Sequence, residues 1–261
     1  MTIVYATLWL AGLYPFTAAW WAHRRTSLAH AIVWAIVAWV AWGWLFVIEE
    51  PPLSGMDPAR YIALCLTGAA GIAVLGARRP QVIAWHFVVI GLIAVLVLPL
   101  VEGGFIGTEP ADPIRMLSLG GTLAVGLINY LPTRCSAAFI VLGLALAEEL
   151  LTLVDRTLPL VDVQLADIVV LLTPWIALVS WVAMRRRVSE FDRLWRDFRD
   201  SWGYFWAQRV RDQFNRAAAN AGWPAHLAWQ GLRRTDRGAT IGPAEQEEML
   251  EVLRAALGRF L

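Results

Sequence analysis

Long apolar runs separated by short charged connections dominate this chain. A membrane-crossing helix needs about 20 largely apolar residues. Seven stretches approach that length: Thr2 to Ala22, Leu28 to Ile48, Pro58 to Gly76, Gln81 to Val101, Ile114 to Leu131, Cys135 to Val154, and Asp167 to Met184. The fifth is among the shortest and the sixth carries two glutamates. The predicted fold is an all-α membrane protein, with a seven-helix transmembrane bundle over residues 1–184 and a small, mainly helical domain over 185–261.

The pattern changes character after Arg187. Ser189 is placed to cap a long helix running to about Asn220. Phe191, Leu194, Trp195, Phe198, Trp202, Phe205, Trp206, Val210, Phe214 and Ala217 recur along it at helical spacing. Gly222 predicts its end. Leu227, Trp229 and Gly231 alternate as a short strand would, although residues 223–242 carry no decisive pattern. Gly242-Pro243 predicts a last helix with Leu250, Leu253, Leu257 and Phe260 or Leu261 on one face.

Charge orients the spans, because arginines collect in cytoplasmic loops. Arg24, Arg25, Arg78, Arg79, Arg134 and Arg185 to Arg187 fall on alternate connections, and Glu49, Glu50, Glu102, Glu109, Asp112, Asp155 and Asp162 on the others. That alternation predicts the N-terminus outside, the C-terminus inside, and a multi-pass protein of the inner (cytoplasmic) membrane. The first span follows no basic segment, so it reads as an anchor rather than a signal peptide. Trp20, Trp21, Trp42, Trp44 and Trp181 fall near predicted interfaces, as aromatic belts do. The net charge of +1 cancels an acidic bundle against a basic C-terminal region.

Composition removes whole classes of function. All 22 basic residues are arginine. Without lysine there is no retinal or pyridoxal Schiff base and no Walker A loop. Cys65 and Cys135 make no C-x-x-C motif and fall at different depths, so they are expected as free, buried thiols. Glu148-Glu149 is not followed by the E-E-x-x-x-R spacing of intramembrane metalloprotease-like proteins, because the next arginine is Arg156. No motif of a characterised family occurs along the chain. No metal site or nucleic-acid surface is expected.

Ionisable and polar groups inside a bilayer are costly and therefore candidates for function. One group is outer: Glu148 and Glu149, which point about a quarter-turn apart, with Arg60, Arg115 and Arg156 at similar depth. The readings are a Glu–Arg pair between helices, a proton- or cation-accepting carboxylate, or an anion site on the arginines. The other group is inner. His30 and His86 fall at matched depth on two spans, with Asn129 and Tyr130 nearby. They are either interfacial histidines bonded locally or ligands of a b-type haem; no cofactor is otherwise expected.

Asp57-Pro58-Ala59-Arg60 and Asp112-Pro113-Ile114-Arg115 open two spans alike. They are either two independently good helix starts or a duplicated hairpin. The glycines from Gly68 to Gly76, with Gly120, Gly121 and Gly126, predict close helix packing.

Three functions follow as expectations. The first is a non-catalytic scaffold or accessory subunit in the lipid bilayer. Its aromatic C-terminal face, Phe191, Trp195, Phe198, Trp202, Phe205, Trp206 and Phe214, would then meet a membrane or cytoplasmic partner or pack within the domain. The second is a small secondary transporter using the outer Glu and Arg residues. The third is a membrane enzyme or haem protein using His30 and His86.

Overall fold

The computed structural model describes residues 2–47, 58–102, 113–154, 163–183, 189–235 and 242–260. Seven helices come first: α1 (Thr2–His23), α2 (Leu28–Val47), α3 (Pro58–Ala73, continued by a 3-10 turn over Val74–Gly76), α4 (Val82–Glu102), α5 (Pro113–Tyr130), α6 (Ser136–Val154) and α7 (Val163–Ala183). Then follow α8 (Glu190–Ala221), a two-stranded hairpin of β1 (Ala225–Ala228) and β2 (Gly231–Arg234), and α9 (Pro243–Leu257). Six of the first seven are long and apolar enough to cross a membrane. The exception is α5, which Arg115, Ser118, Thr122 and Asn129 make more polar. The chain is therefore built as a multi-pass membrane protein.

At the centre of the bundle, α3 packs against α2, α4 and α5, while α6 lies between α5 and α7. Small residues permit this. A Cβ on Gly71 would fall 2.8 Å from the Gly126 Cα, so α3 and α5 meet backbone to backbone. The glycine clusters do here what their spacing predicts, although Gly121 faces open space. On the other flank, α1 and α2 interlock reciprocally. The Trp9 indole N–H donates to the Trp39 carbonyl (2.9 Å) and Trp39 donates to the Trp9 carbonyl (3.1 Å). Gly43 and Gly12 leave the space the two rings fill.

Both predicted caps of α8 are present. Ser189 accepts from the Asp192 amide at 3.1 Å, and Gly222 ends the helix in the left-handed conformation. The short strand expected on the alternation of Leu227, Trp229 and Gly231 is corrected: Trp229 lies in the turn of an antiparallel hairpin, Ala225–Ala228 on Gly231–Arg234, and Gly231 starts the second strand at φ 137°. The expectation of one uninterrupted helix is corrected: Gly203, at φ 78° and ψ −170°, breaks α8 in the middle.

The two regions share one hydrophobic core. Leu28, Ala31, Ala73, Val74 and Ala77 of the bundle join Trp195, Phe198, Trp202, Trp206, Leu253 and Leu257. The duplicated-hairpin reading fails on packing. Whereas α2 runs along α3, α4 barely touches α5. The two Asp-Pro openings are local helix starts whose Asp57 and Asp112 lie outside the described residues.

Candidate functional site

The polar groups of the bundle gather at its two ends. At the end far from α8, Arg60 on the first turn of α3 reaches between α6 and α7. Its Nη1 lies 2.6 Å from both Glu149 carboxylate oxygens and 3.0 Å from Asp167 Oδ1, and its Nη2 donates to Asp167 Oδ2 at 3.3 Å. Glu149 is fully buried, and Asp167 nearly so. Carboxylates taken from water need a cation and good geometry, and one guanidinium supplies both here.

Asp167 was not among the sequence candidates. Reading the last span from Asp167 made it a boundary residue, but α7 starts one turn earlier at Val163. The apolar and uncharged residues Val163, Gln164 and Leu165 carried that signal. Glu148 and Glu149 are both buried. With α5 and α7 flanking α6, two directions a quarter-turn apart both face protein. Arg115 sits on the exposed side of α5, and Arg156 lies outside the described residues.

At the other end His30 and His86 do meet, at the matched depth expected. His86 Nε2 is 3.0 Å from His30 Nδ1, and the Trp34 indole donates to His86 Nδ1 at 2.9 Å. An indole N–H can only donate. His86 Nδ1 must therefore accept, His86 Nε2–H donates to His30 Nδ1, and the neutral His30 carries its proton on Nε2. Iron ligated by this pair would need the space that the hydrogen bond now spans. A small pocket beside the pair is lined by Ala31, Trp34, Gly76, Ala77 and Trp85.

Asn129, fully buried at the end of α5, has a role the sequence did not suggest. Its Oδ1 accepts from the Phe205 amide at 3.1 Å and its Nδ2 donates to the Trp202 carbonyl at 3.3 Å. Those two backbone groups flank the break at Gly203, and Asn129 bonds both. A Cβ at position 203 would collide with the Asn129 amide.

Indoles close the end of α3 in the same way. The last carbonyls of a helix have no partner within it. Trp85 donates to the Ile72 carbonyl (3.3 Å), Trp206 to Val74 (3.1 Å) and Trp202 to Ala77 (3.1 Å), where the Ser27 hydroxyl also donates (2.8 Å). Trp229 donates to the Pro132 carbonyl between α5 and α6 at 2.8 Å. Arg134 Nε lies 2.7 Å from the Asp200 carboxylate, which Arg199 also contacts at 2.6 Å. Burial pushes the Asp200 carboxyl above the usual carboxylate range, while Arg199 and Arg134 pull the other way.

The proposed interaction face is therefore largely occupied within the chain. Phe191, Trp195, Phe198, Trp202, Trp206 and Phe214 are buried, and Phe205 is exposed. Phe205 and Trp206 point about 100° apart, so a face that buries Trp206 turns Phe205 outward. The tryptophans expected at interfaces divide similarly. Trp20, Trp21 and Trp44 are exposed, but Trp42 is buried and donates to the Thr67 hydroxyl at 3.0 Å. Cys65 and Cys135 are free and buried, as expected. Among the described residues no group of three or more His, Cys, Asp or Glu is placed to hold a metal.

No protein-family model, no curated protein and no solved structure matches this chain, so its function has to be read from its own residues.

Proposed function

We propose that this chain is a seven-span protein of the cytoplasmic membrane, N-terminus outside and C-terminus inside, that serves as a rigid, non-catalytic scaffold or accessory subunit. One observation carries the reading: the C-terminal region grips three alternate connections, all at one end of the bundle. The Ser27 amide donates to the Phe260 carbonyl (3.0 Å), the Arg79 amide to the Arg259 carbonyl (3.0 Å), and the Trp229 indole to the Pro132 carbonyl (2.8 Å). Having the α1–α2, α3–α4 and α5–α6 connections at one end supports reading α5 as a span. The arginine-rich loops then share the side of the C-terminal domain. Alternating access rocks one half of a bundle against the other, and a domain tied to all three connections opposes that motion. The partner is then a membrane or cytoplasmic protein meeting the exposed surface around Phe205, rather than the buried aromatic face. The test is co-purification of the intact chain from native membranes in mild detergent. A specific partner lost on Phe205→Arg is expected. A clean monomer with no partner would sink the proposal.

A second reading, a proton- or cation-coupled carrier, is favoured by the Arg60–Glu149–Asp167 cluster alone. Reconstituted vesicles decide it: a proton or cation flux abolished by Glu149→Gln would replace the scaffold reading.

A further inference from the structure

The arginines at the gripped end fall into two populations. Arg134, Arg199 and Arg254 pair with carboxylates. Among the described residues no carboxylate pairs with Arg24, Arg25, Arg78, Arg79 or Arg259. These five come from three separate segments that meet at one corner. Arg79 Nη2 donates to the Arg25 carbonyl at 2.7 Å, and the Arg79 amide donates to the Arg259 carbonyl at 3.0 Å. The corner thus concentrates positive charge that no carboxylate among the described residues pairs with.

A cleft opens beside it. Its floor is Ala73, Gly76 and Ala77 of the α3 end, and its sides are His30 and Trp34 of α2 and Trp85 and His86 of α4. The hydrogen-bond chain from Trp34 through His86 fixes the neutral His30 with its Nε2–H free to donate, and His30 is exposed. Alongside, α4 presents an apolar flank to the surroundings, with Ile83, Phe87 and Ile90 all more than half exposed. Cations and a neutral donor at the mouth, with apolar surface running away from them, match one chemistry: an anionic phosphodiester carrying hydrocarbon chains.

We propose that this corner binds the headgroup of an anionic phospholipid, with the phosphate on Arg25, Arg79 and His30 Nε2–H and the acyl chains along α4. The proposal rests on the membrane reading above. Arginine suits it because its planar fork bonds phosphate oxygens in pairs and it is less strongly hydrated than lysine.

The test uses the intact chain purified in mild detergent and incubated with equal amounts of phosphatidylglycerol and phosphatidylcholine. The lipid retained after detergent washing is measured by mass spectrometry. The wild type is expected to retain phosphatidylglycerol preferentially. Arg25→Gln with Arg79→Gln should lower that preference about 30-fold. Arg233→Gln with Arg234→Gln, on the exposed hairpin, should leave it unchanged. If the double variant does not fold, His30→Ala decides, because it removes one donor at an exposed position: reduced retention supports the site and unchanged retention overturns it. Equal retention of both lipids by the wild type overturns the proposal, as does a folded double variant that keeps its preference. Displacement by inorganic phosphate would overturn the lipid assignment, since phosphate cannot replace the contacts of the chains. Retention is read on purified protein, so its failure is separate from failure of the scaffold reading, which is read by partner capture.

Discussion

The two ends of the bundle solve the same problem with different chemistry. At the far end three helices are joined by charge: Arg60 between Glu149 and Asp167. At the end gripped by α8 and α9, most cross-links are neutral, with indole, amide and hydroxyl donors on backbone carbonyls. A charge cluster depends on every member, because removing one leaves another buried and uncompensated. A set of neutral bonds is divisible, and each loss costs only its own group. The far end should therefore fail abruptly and the gripped end by degrees.

The largest expected effect tests the first half of that contrast. Arg60→Met should destabilise the chain by about 4 kcal/mol, because it leaves the fully buried Glu149 without its cation. Thermal unfolding in detergent measures it. Adding Glu149→Leu and Asp167→Leu should recover most of the loss. If the triple variant is no better than the single one, charge is not what joins that end.

Asn129→Leu should cost about 3 kcal/mol, since it leaves the buried Trp202 carbonyl and the part-buried Phe205 amide without the partner they share. The same unfolding assay applies, with hydrogen exchange at Phe205 as a local readout. Gly203→Ala should cost about 2 kcal/mol through its left-handed backbone alone, and more from the collision of its Cβ with the side chain and carbonyl of Asn129. The two changes damage one joint, so their combination should cost less than their sum.

The smallest effect is the most diagnostic of divisible bonding. Trp206→Phe keeps a ring in place and removes only the donor to Val74, so about 1 kcal/mol is expected. A loss as large as that of Arg60→Met would erase the distinction between the ends.

How much of this could be read in advance varies residue by residue. Depth arithmetic placed His30 beside His86 because both positions are counted from span starts at one face. The direct hydrogen bond, and the tautomer it implies, needed Trp34, whose side chain no spacing rule aims at His86. Arg60 and Glu149 were legible as partners at similar depth. Asp167 was not, because a charge at that position reads as the end of a span. Asn129 was conspicuous as a buried amide. Its partner was invisible because it is a break in α8, and one glycine in a long amphipathic pattern does not announce a kink. The aromatic face was legible as apolar, but amphipathicity says only that a face must be covered. Here the bundle, the hairpin and α9 cover it.

The sequence by itself determined which segments leave water, how the charged connections alternate, where Ser189 and Gly222 bound a helix, and which chemistries the absence of lysine excludes. Those are local properties, set by transfer free energy, helical period and backbone conformation over a few residues. Only the tertiary structure decided which polar group meets which: Arg60 with Asp167, Asn129 with the broken turn at Gly203, and the indoles with the end of α3. Most of those bonds join elements far apart in sequence. Its existence depends on which helices lie side by side, and helix packing is chosen by the shape of whole surfaces rather than by any one stretch of chain.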